Sequence, residues 1–277
     1  MVTNSDRTTG DKKMKADFHV HTHFSKDSKA TPKEQIEEAI SRGLKTICIT
    51  DHHDIDYSEP DFEIDFEPYF YTLQELQAQY RDKIEILIGM EYGMQPHLGE
   101  KCAELTKQYP FDFVMGSIHM VDGQDPYYRT MFEGKTDEEV YRRGFEFTME
   151  SIQCTPDFDS LGHIDYIVRY GKNQAQDYSY AKCGDCLDEI LKFLIQNGKA
   201  LELNTGGWKC GLSFPHPHPD VLRRYKELGG EMITIGSDAH APEHIAYDFH
   251  KVKDYLETCG FKYYTEFRQR TPYFCAL

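Results

Sequence analysis

Three histidines on alternate residues, His19, His21 and His23 in ADFHVHTHFSKDS, stand behind an acidic Asp17. Alternate side chains of a β-strand point to one face, so the imidazoles at 19 and 21 can converge on a single ion. Other metal-competent groups recur down the chain, each at the end of a short apolar run: His52 and His53 in TDHHD, then Glu91, His119, His163, Asn204, and finally Asp238 with His240. Imidazole mixed with carboxylate suits Zn, Mn or Fe better than Mg or Ca, which prefer oxygen ligands. A lone histidine is ordinarily a hydrogen-bonded structural residue, but one register repeated at successive strand ends is a pattern. His97, His216, His218, His244 and His250 fall outside it and read as surface or loop residues.

The elements that must position these groups read as KADFHVH, LKTICIT, KIEILIGME, FDFVMGSIH, FDSLGHID, GKALELNT and EMITIGSDAH. A helical pattern follows the apolar runs, which predicts parallel strands with helical crossovers. The first helix is legible in TPKEQIEEAISRG: Thr31 caps it, Pro32 opens it, Glu34 completes a capping box and Gly43 stops it. In a parallel α/β barrel the C-terminal strand ends surround one mouth, and the polar groups above stand at those ends.

A chain of 277 residues is long enough for one such domain, expected over residues 14–277 behind a polar, flexible extension over 1–13 that lacks the apolar stretch of a secretory signal. No apolar run reaches the roughly 18 to 20 residues of a membrane span. Eight scattered cysteines read as reduced residues in a cytoplasmic protein, and the CxxC of Cys183 and Cys186 has no second pair at zinc-ribbon spacing. A net charge of −16 argues against a nucleic-acid-binding face. It leaves room for a small phosphorylated substrate, because bound divalent ions reverse the local field. The oligomeric state is not written in the sequence.

The ordered motifs DFHVHTHFS, ITDHH, GMEYG, GSIHM, LGHIDYIVRYG, LELNT and GSDAH resemble those of the polymerase and histidinol phosphatase (PHP) family, in particular its histidinol-phosphate phosphatase branch. The resemblance implies a distorted (β/α)7 barrel, similar to a TIM barrel, with three divalent transition metals at its C-terminal mouth. It implies that His19, His21 and Asp238 bind the first ion. Glu91 would bridge it to a second, completed by His119 and His163, and His52 and His240 would hold a third. Asp27 stands where many relatives carry another histidine for that third site, with His23 or water as alternatives. Hydrolysis of L-histidinol phosphate to L-histidinol and phosphate, a late step of histidine biosynthesis, is the implied activity.

Phosphate monoesters hydrolyse very slowly unaided, so such a site must supply a nucleophile at neutral pH. Two ions bridged by Glu91, roughly 3.5 to 4 Å apart as in two-metal sites, can share a hydroxide that attacks phosphorus. Asp238, Glu91 and His53 are thus the expected catalytic groups, with His53 as proton donor or substrate contact. Arg169 is the preferred phosphate grip because a guanidinium binds phosphate bidentately, with Lys209 and His53 as further substrate contacts. Asp17 either orients an imidazole or is a polar strand start. Asp122, Asp125, Tyr127 and Tyr128, just after His119, could receive the ammonium and imidazole of the substrate. The competing readings are a phosphoesterase for another small phosphoester or nucleotide, and a non-catalytic metal-binding module.

Overall fold

The structure is a computed structural model that describes residues 14–60, 62–173, 176 and 178–277. The expected extension over 1–13 lies outside the described residues. Strands β1 (Ala16–Val20), β2 (Thr46–Ile49), β3 (His52–His53), β4 (Glu85–Gly93), β5 (Phe113–Ser117), β6 (Ser160–Leu161), β7 (Ala200–Asn204) and β8 (Ile233–Gly236) form one parallel sheet. Its spatial order is β1-β2-β4-β5-β6-β7-β8, with β3 also on β4. β2 and β3 are two segments of one stave: both pair with β4, at Glu85 to Ile88 and at Glu91 to Tyr92. The sheet closes through a Val20–Ala239 bridge, with Asp238 N donating to His19 O and His21 N to Ala239 O, both at 2.9 Å. This is the expected distorted (β/α)7 barrel.

Helices α1 (Pro32–Ser41), α2 (Phe66–Tyr80), α3 (Gly99–Gln108), α4 (Asp137–Cys154) and α5 (Tyr180–Gln196) make the crossovers from β1 to β7. The short α6 (Gly206–Lys209) and α7 (Pro219–Glu227) lead to β8, and α8 (Phe249–Thr258) follows it. α1 begins as the sequence predicts: Thr31 Oγ1 accepts from Glu34 N at 3.2 Å and Glu34 Oε2 accepts from Thr31 N at 2.7 Å. The fifth strand is much shorter than FDSLGHID suggests. The backbone N–H of His163 goes to the Glu202 carboxylate (2.8 Å), so a side chain takes the place of a ladder partner there.

The C-terminal hairpin of β9 (Tyr263–Arg268) and β10 (Thr271–Ala276) has no counterpart in the sequence reading. Its turn uses Gln269 and Arg270, both with positive φ (48° and 62°), instead of the usual Asn-Gly or Asp-Gly. The hairpin closes the barrel end opposite the mouth. Phe267 packs on Phe113, which in turn meets Phe18 edge-on. Arg268 pairs with Glu85 at the start of β4, and Arg270 with Asp159 ahead of β6. No helix among the described residues is long and apolar enough to cross a membrane.

Candidate metal centre

The ends of β1, β3, β4, β5, β6 and β8 deliver their groups to one cluster, while Asn204 at the end of β7 donates to Glu202 Oε2 (3.2 Å). Glu91, inside β4, is fully buried and lies between imidazoles from three directions. Its Oε2 is 3.2 Å from His19 Nε2 and 3.4 Å from His21 Nε2, while its Oε1 is 2.9 Å from His163 Nε2 and 3.2 Å from His119 Nε2. Asp238 Oδ1 stands 3.5 Å from His21 Nε2 and 3.8 Å from His19 Nε2. Asp238 holds a left-handed backbone conformation (φ 54°) just past β8. Backbone of this kind is costly for a non-glycine residue and tends to mark functional positions. On the outer side His240 Nε2 is 3.4 Å from His52 Nε2 and 3.1 Å from Asp27 Oδ2.

The residues fit metal ions. His19 Nε2, His21 Nε2, His52 Nδ1 and Glu91 Oε2 are buried without a hydrogen-bond partner. Such atoms are costly unless something pairs them. The opposite ring nitrogens are occupied in a way that leaves the inward lone pairs free. His19 Nδ1 donates to Glu202 Oε1 (2.7 Å) and His119 Nδ1 to Asp54 Oδ1 (2.7 Å). His21 Nδ1 donates to Ser25 Oγ (3.2 Å), whose own hydroxyl donates to Asp51 (2.6 Å). The spacing is also right, since ligand bonds of about 2.0–2.1 Å place tetrahedral neighbours roughly 3.3 Å apart. The Glu91 oxygens lie 2.9–3.4 Å from four imidazole nitrogens, and the triplets His19, His21 and Glu91, or Glu91, His119 and His163, gather their ligand atoms within 4.8 Å.

The electrostatics show what the cluster lacks without ions. Burial works to raise Glu91, but His19, His119 and His52 outweigh it and hold its carboxyl well below the usual range. Burial lowers His19, yet Glu91, Glu202 and Asp238 carry it well above an ordinary histidine. His119 rises to about 10, where Asp54 and Glu91 overcome burial. His21 goes the other way, lowered well below the usual value by burial and by His240 and His52. A metal ion binds these imidazoles only in their unprotonated form, so binding is coupled to proton release.

Above this floor opens a pocket of about 380 Å³. Arg169, in a 3₁₀ turn at Tyr166–Tyr170, lines it with its guanidinium 4.0 Å over the Tyr166 ring and 4.9 Å from that of Tyr170. It forms no ion pair among the described residues. Asp125, Tyr127 and Tyr128 also line the pocket, facing Tyr57, Glu59 and Phe62. Tyr57 donates to Asp125 and Tyr128 to Glu59, which ties the two loops over the opening.

Several expected residues lie elsewhere. His53, expected as a catalytic or substrate-binding group, does not line the pocket: adjacent strand residues face opposite sides, so His52 meets the cluster and His53 turns away. Its Nδ1 accepts from Ile64 N (3.0 Å), it packs on Phe66, and burial lowers its pKa to about 4. Lys209 does not line the pocket; its ammonium donates to the backbone carbonyl of Asp238. Asp17 orients no imidazole. It accepts from the N–H groups of Ser237 (2.9 Å) and Ala246 (3.0 Å), stitching β1 to the end of β8. His23 is exposed because the chain has turned, and Asp27 takes the place beside His52 and His240. Asp122 pairs with Arg143 outside the pocket. His216, expected as a surface or loop residue, lies in the loop between α6 and α7 but is buried against Asp165 (2.6 Å). Cys183 and Cys186 belong to no metal-holding group among the described residues.

Sequence reasoning missed Glu202, Asp54, Ser25 and Asp51, the groups that orient the histidines. One signal was available for Glu202, an acidic residue in the middle of the apolar strand ALELN.

A seven-unit α/β barrel with imidazoles and carboxylates gathered at its mouth is the architecture of a metal-dependent hydrolase. The model of the PHP domain matches residues 17–206. The histidinol-phosphatase of Lactococcus lactis subsp. lactis is 34% identical over 253 residues, covering 89% of this chain and 92% of that protein. A probable histidinol-phosphatase of Clostridium acetobutylicum is 35% identical over 253 residues, covering 90% and 95%. The crystal structure of the L. lactis histidinol phosphate phosphatase, complexed with Zn, L-histidinol and phosphate, superimposes with a TM-score of 0.86 at 33% identity over 94% of this chain and 98% of that one. The chain belongs to the PHP family.

Proposed function

We propose that the protein hydrolyses L-histidinol phosphate to L-histidinol and phosphate, using divalent metal ions held at the barrel mouth. The observation that carries this reading is the set of unpaired inward atoms of His19, His21 and Glu91 beneath a pocket lined by Arg169. A relative of the same fold, 33% identical, binds Zn, L-histidinol and phosphate. His19, His21 and Asp238 would hold one ion, Glu91 with His119 and His163 a second, and His52, His240 and Asp27 a third. Bound there, Zn, Mn or Fe supplies Lewis-acid charge to the phosphoryl oxygens and makes water acidic enough to ionise near neutral pH.

The chain's own residues do the rest. Arg169, its guanidinium 4.0 Å from the Tyr166 ring centroid, would offer its fork to the phosphate. His19 and the neighbouring histidines outweigh burial and hold Glu91 and Asp238 well below the usual carboxylate range, so both offer anionic oxygens to the ions. Asp125 and Glu59, which line the pocket, would meet the ammonium of the substrate, and Phe62 and Tyr127 would flank its imidazole. The eight free cysteines suit a reducing, cytoplasmic location. The test compares kcat/KM for L-histidinol phosphate with a panel of phosphomonoesters and nucleotides. The reading expects a clear preference for histidinol phosphate, and an equal or better nucleotide would replace the substrate assignment.

A further inference from the structure

We propose that Gly93 and Gly236 are positioning residues of the metal centre. Each leaves a hollow in the barrel wall that admits the carboxylate fixing one histidine. The two act at opposite sides of the cluster. Extending the β3–β4 register of His52 with Glu91 and His53 with Tyr92 by one residue sets Asp54 beside Gly93. A Cβ on Gly93 would overlap Asp54 Oδ1 and lie 2.7 Å from its Cγ, and this Oδ1 is the oxygen that accepts from His119 Nδ1. On β8, a Cβ on Gly236 would overlap both Glu202 Oε1 and His19 Cβ. Glu202 Oε1 is the oxygen that accepts from His19 Nδ1.

Backbone geometry does not explain these glycines. Neither is among the glycines with positive φ, so alanine can adopt the same backbone. What alanine cannot do is share space with the carboxylate. A methyl group there forces Asp54 or Glu202 back and frees the ring nitrogen it holds, so the imidazole loses the fixed tautomer that aims Nε2 inward. Glu202 has little room to retreat, because Oε2 already accepts from His163 N (2.8 Å) and Asn204 Nδ2 (3.2 Å).

The inference rests on the reading of this cluster as a metal centre, and the wild-type protein tests that reading separately: if it binds no Zn²⁺, the centre itself fails. The experiment strips the full-length protein of metal and measures Zn²⁺ affinity by competition with a chromophoric chelator. Gly93→Ala is expected to weaken binding about 10- to 100-fold, the usual effect of losing a group that orients a ligand. In an Asp54→Ala background most of the loss from the same change is expected to vanish, because the carboxylate is gone and only the Cα of residue 54, 3.3 Å away, remains close. Gly236→Ala is expected to weaken binding likewise, with only part of the loss cancelled by Glu202→Ala, since the methyl still meets His19. A Gly93→Ala chain that folds only together with Asp54→Ala supports the proposal. Wild-type affinity in either alanine variant would overturn it, as would a Gly93→Ala loss, or failure to fold, that persists undiminished in the Asp54→Ala background.

Discussion

Arg169 and His53 show how differently two polar residues near one site can be employed. Arg169 lines the pocket with the Tyr166 and Tyr170 rings and the Cys210 sulfur beside its guanidinium and no ion-pair partner among the described residues. A charge-assisted hydrogen bond contributes about 1.5–3 kcal/mol, so Arg169→Ala should lower kcat/KM for the phosphoester roughly 10- to 150-fold. Arg169→Lys should recover only part of this, because an ammonium keeps the charge and loses the fork. Steady-state kinetics with the metal content held constant checks both. His53 is embedded between Phe66 and Tyr92 and accepts the Ile64 N–H. His53→Phe should leave kcat and bound metal unchanged and cost about 1–3 kcal/mol of stability through the orphaned N–H, measurable by denaturant unfolding. A large fall in kcat at normal metal content would return His53 to the catalytic set.

At the scale of elements, the strand ends were legible because chemistry and periodicity coincide there. An apolar run ending in His, Glu or Asp announces both the strand and its cargo, and α1 announced itself by its capping box. Three features were hidden for physical reasons. His52 and His53 are neighbours of one type, and only the strand geometry decides which of them faces the cluster. Glu202, Asp54 and Asp51 act across strands, through contacts between residues far apart in sequence, so local spacing does not reveal their partners. The closing hairpin lacks the glycine or asparagine that usually marks such a turn, and its anchors are Arg268 on Glu85 and Arg270 on Asp159. Phe267 is buried beneath Phe113 at this end, away from the mouth. Phe267→Ala should cost about 3–5 kcal/mol of stability while leaving kcat/KM of the folded enzyme intact. A loss of activity without a loss of stability would mean that the hairpin communicates with the mouth.

For the whole molecule, the acidic chain has a function only if cations complete it. Glu91 and Asp238 stand among the imidazoles of the mouth, the inward nitrogens of His19 and His21 among them have no hydrogen-bond partner, and Arg169 lines the pocket above. The barrel supplies rigidity: its ligands come from the ends of different staves, so losing one ion should not unfold the chain. The most direct measurement is phosphate release from L-histidinol phosphate while metal-free protein is titrated with Zn²⁺ or Mn²⁺, with bound metal counted by elemental analysis. No hydrolysis is expected without metal, and activity should rise to a plateau near three ions per chain. Undiminished hydrolysis by the metal-free protein, or a fully loaded protein that leaves histidinol phosphate intact, would contradict it.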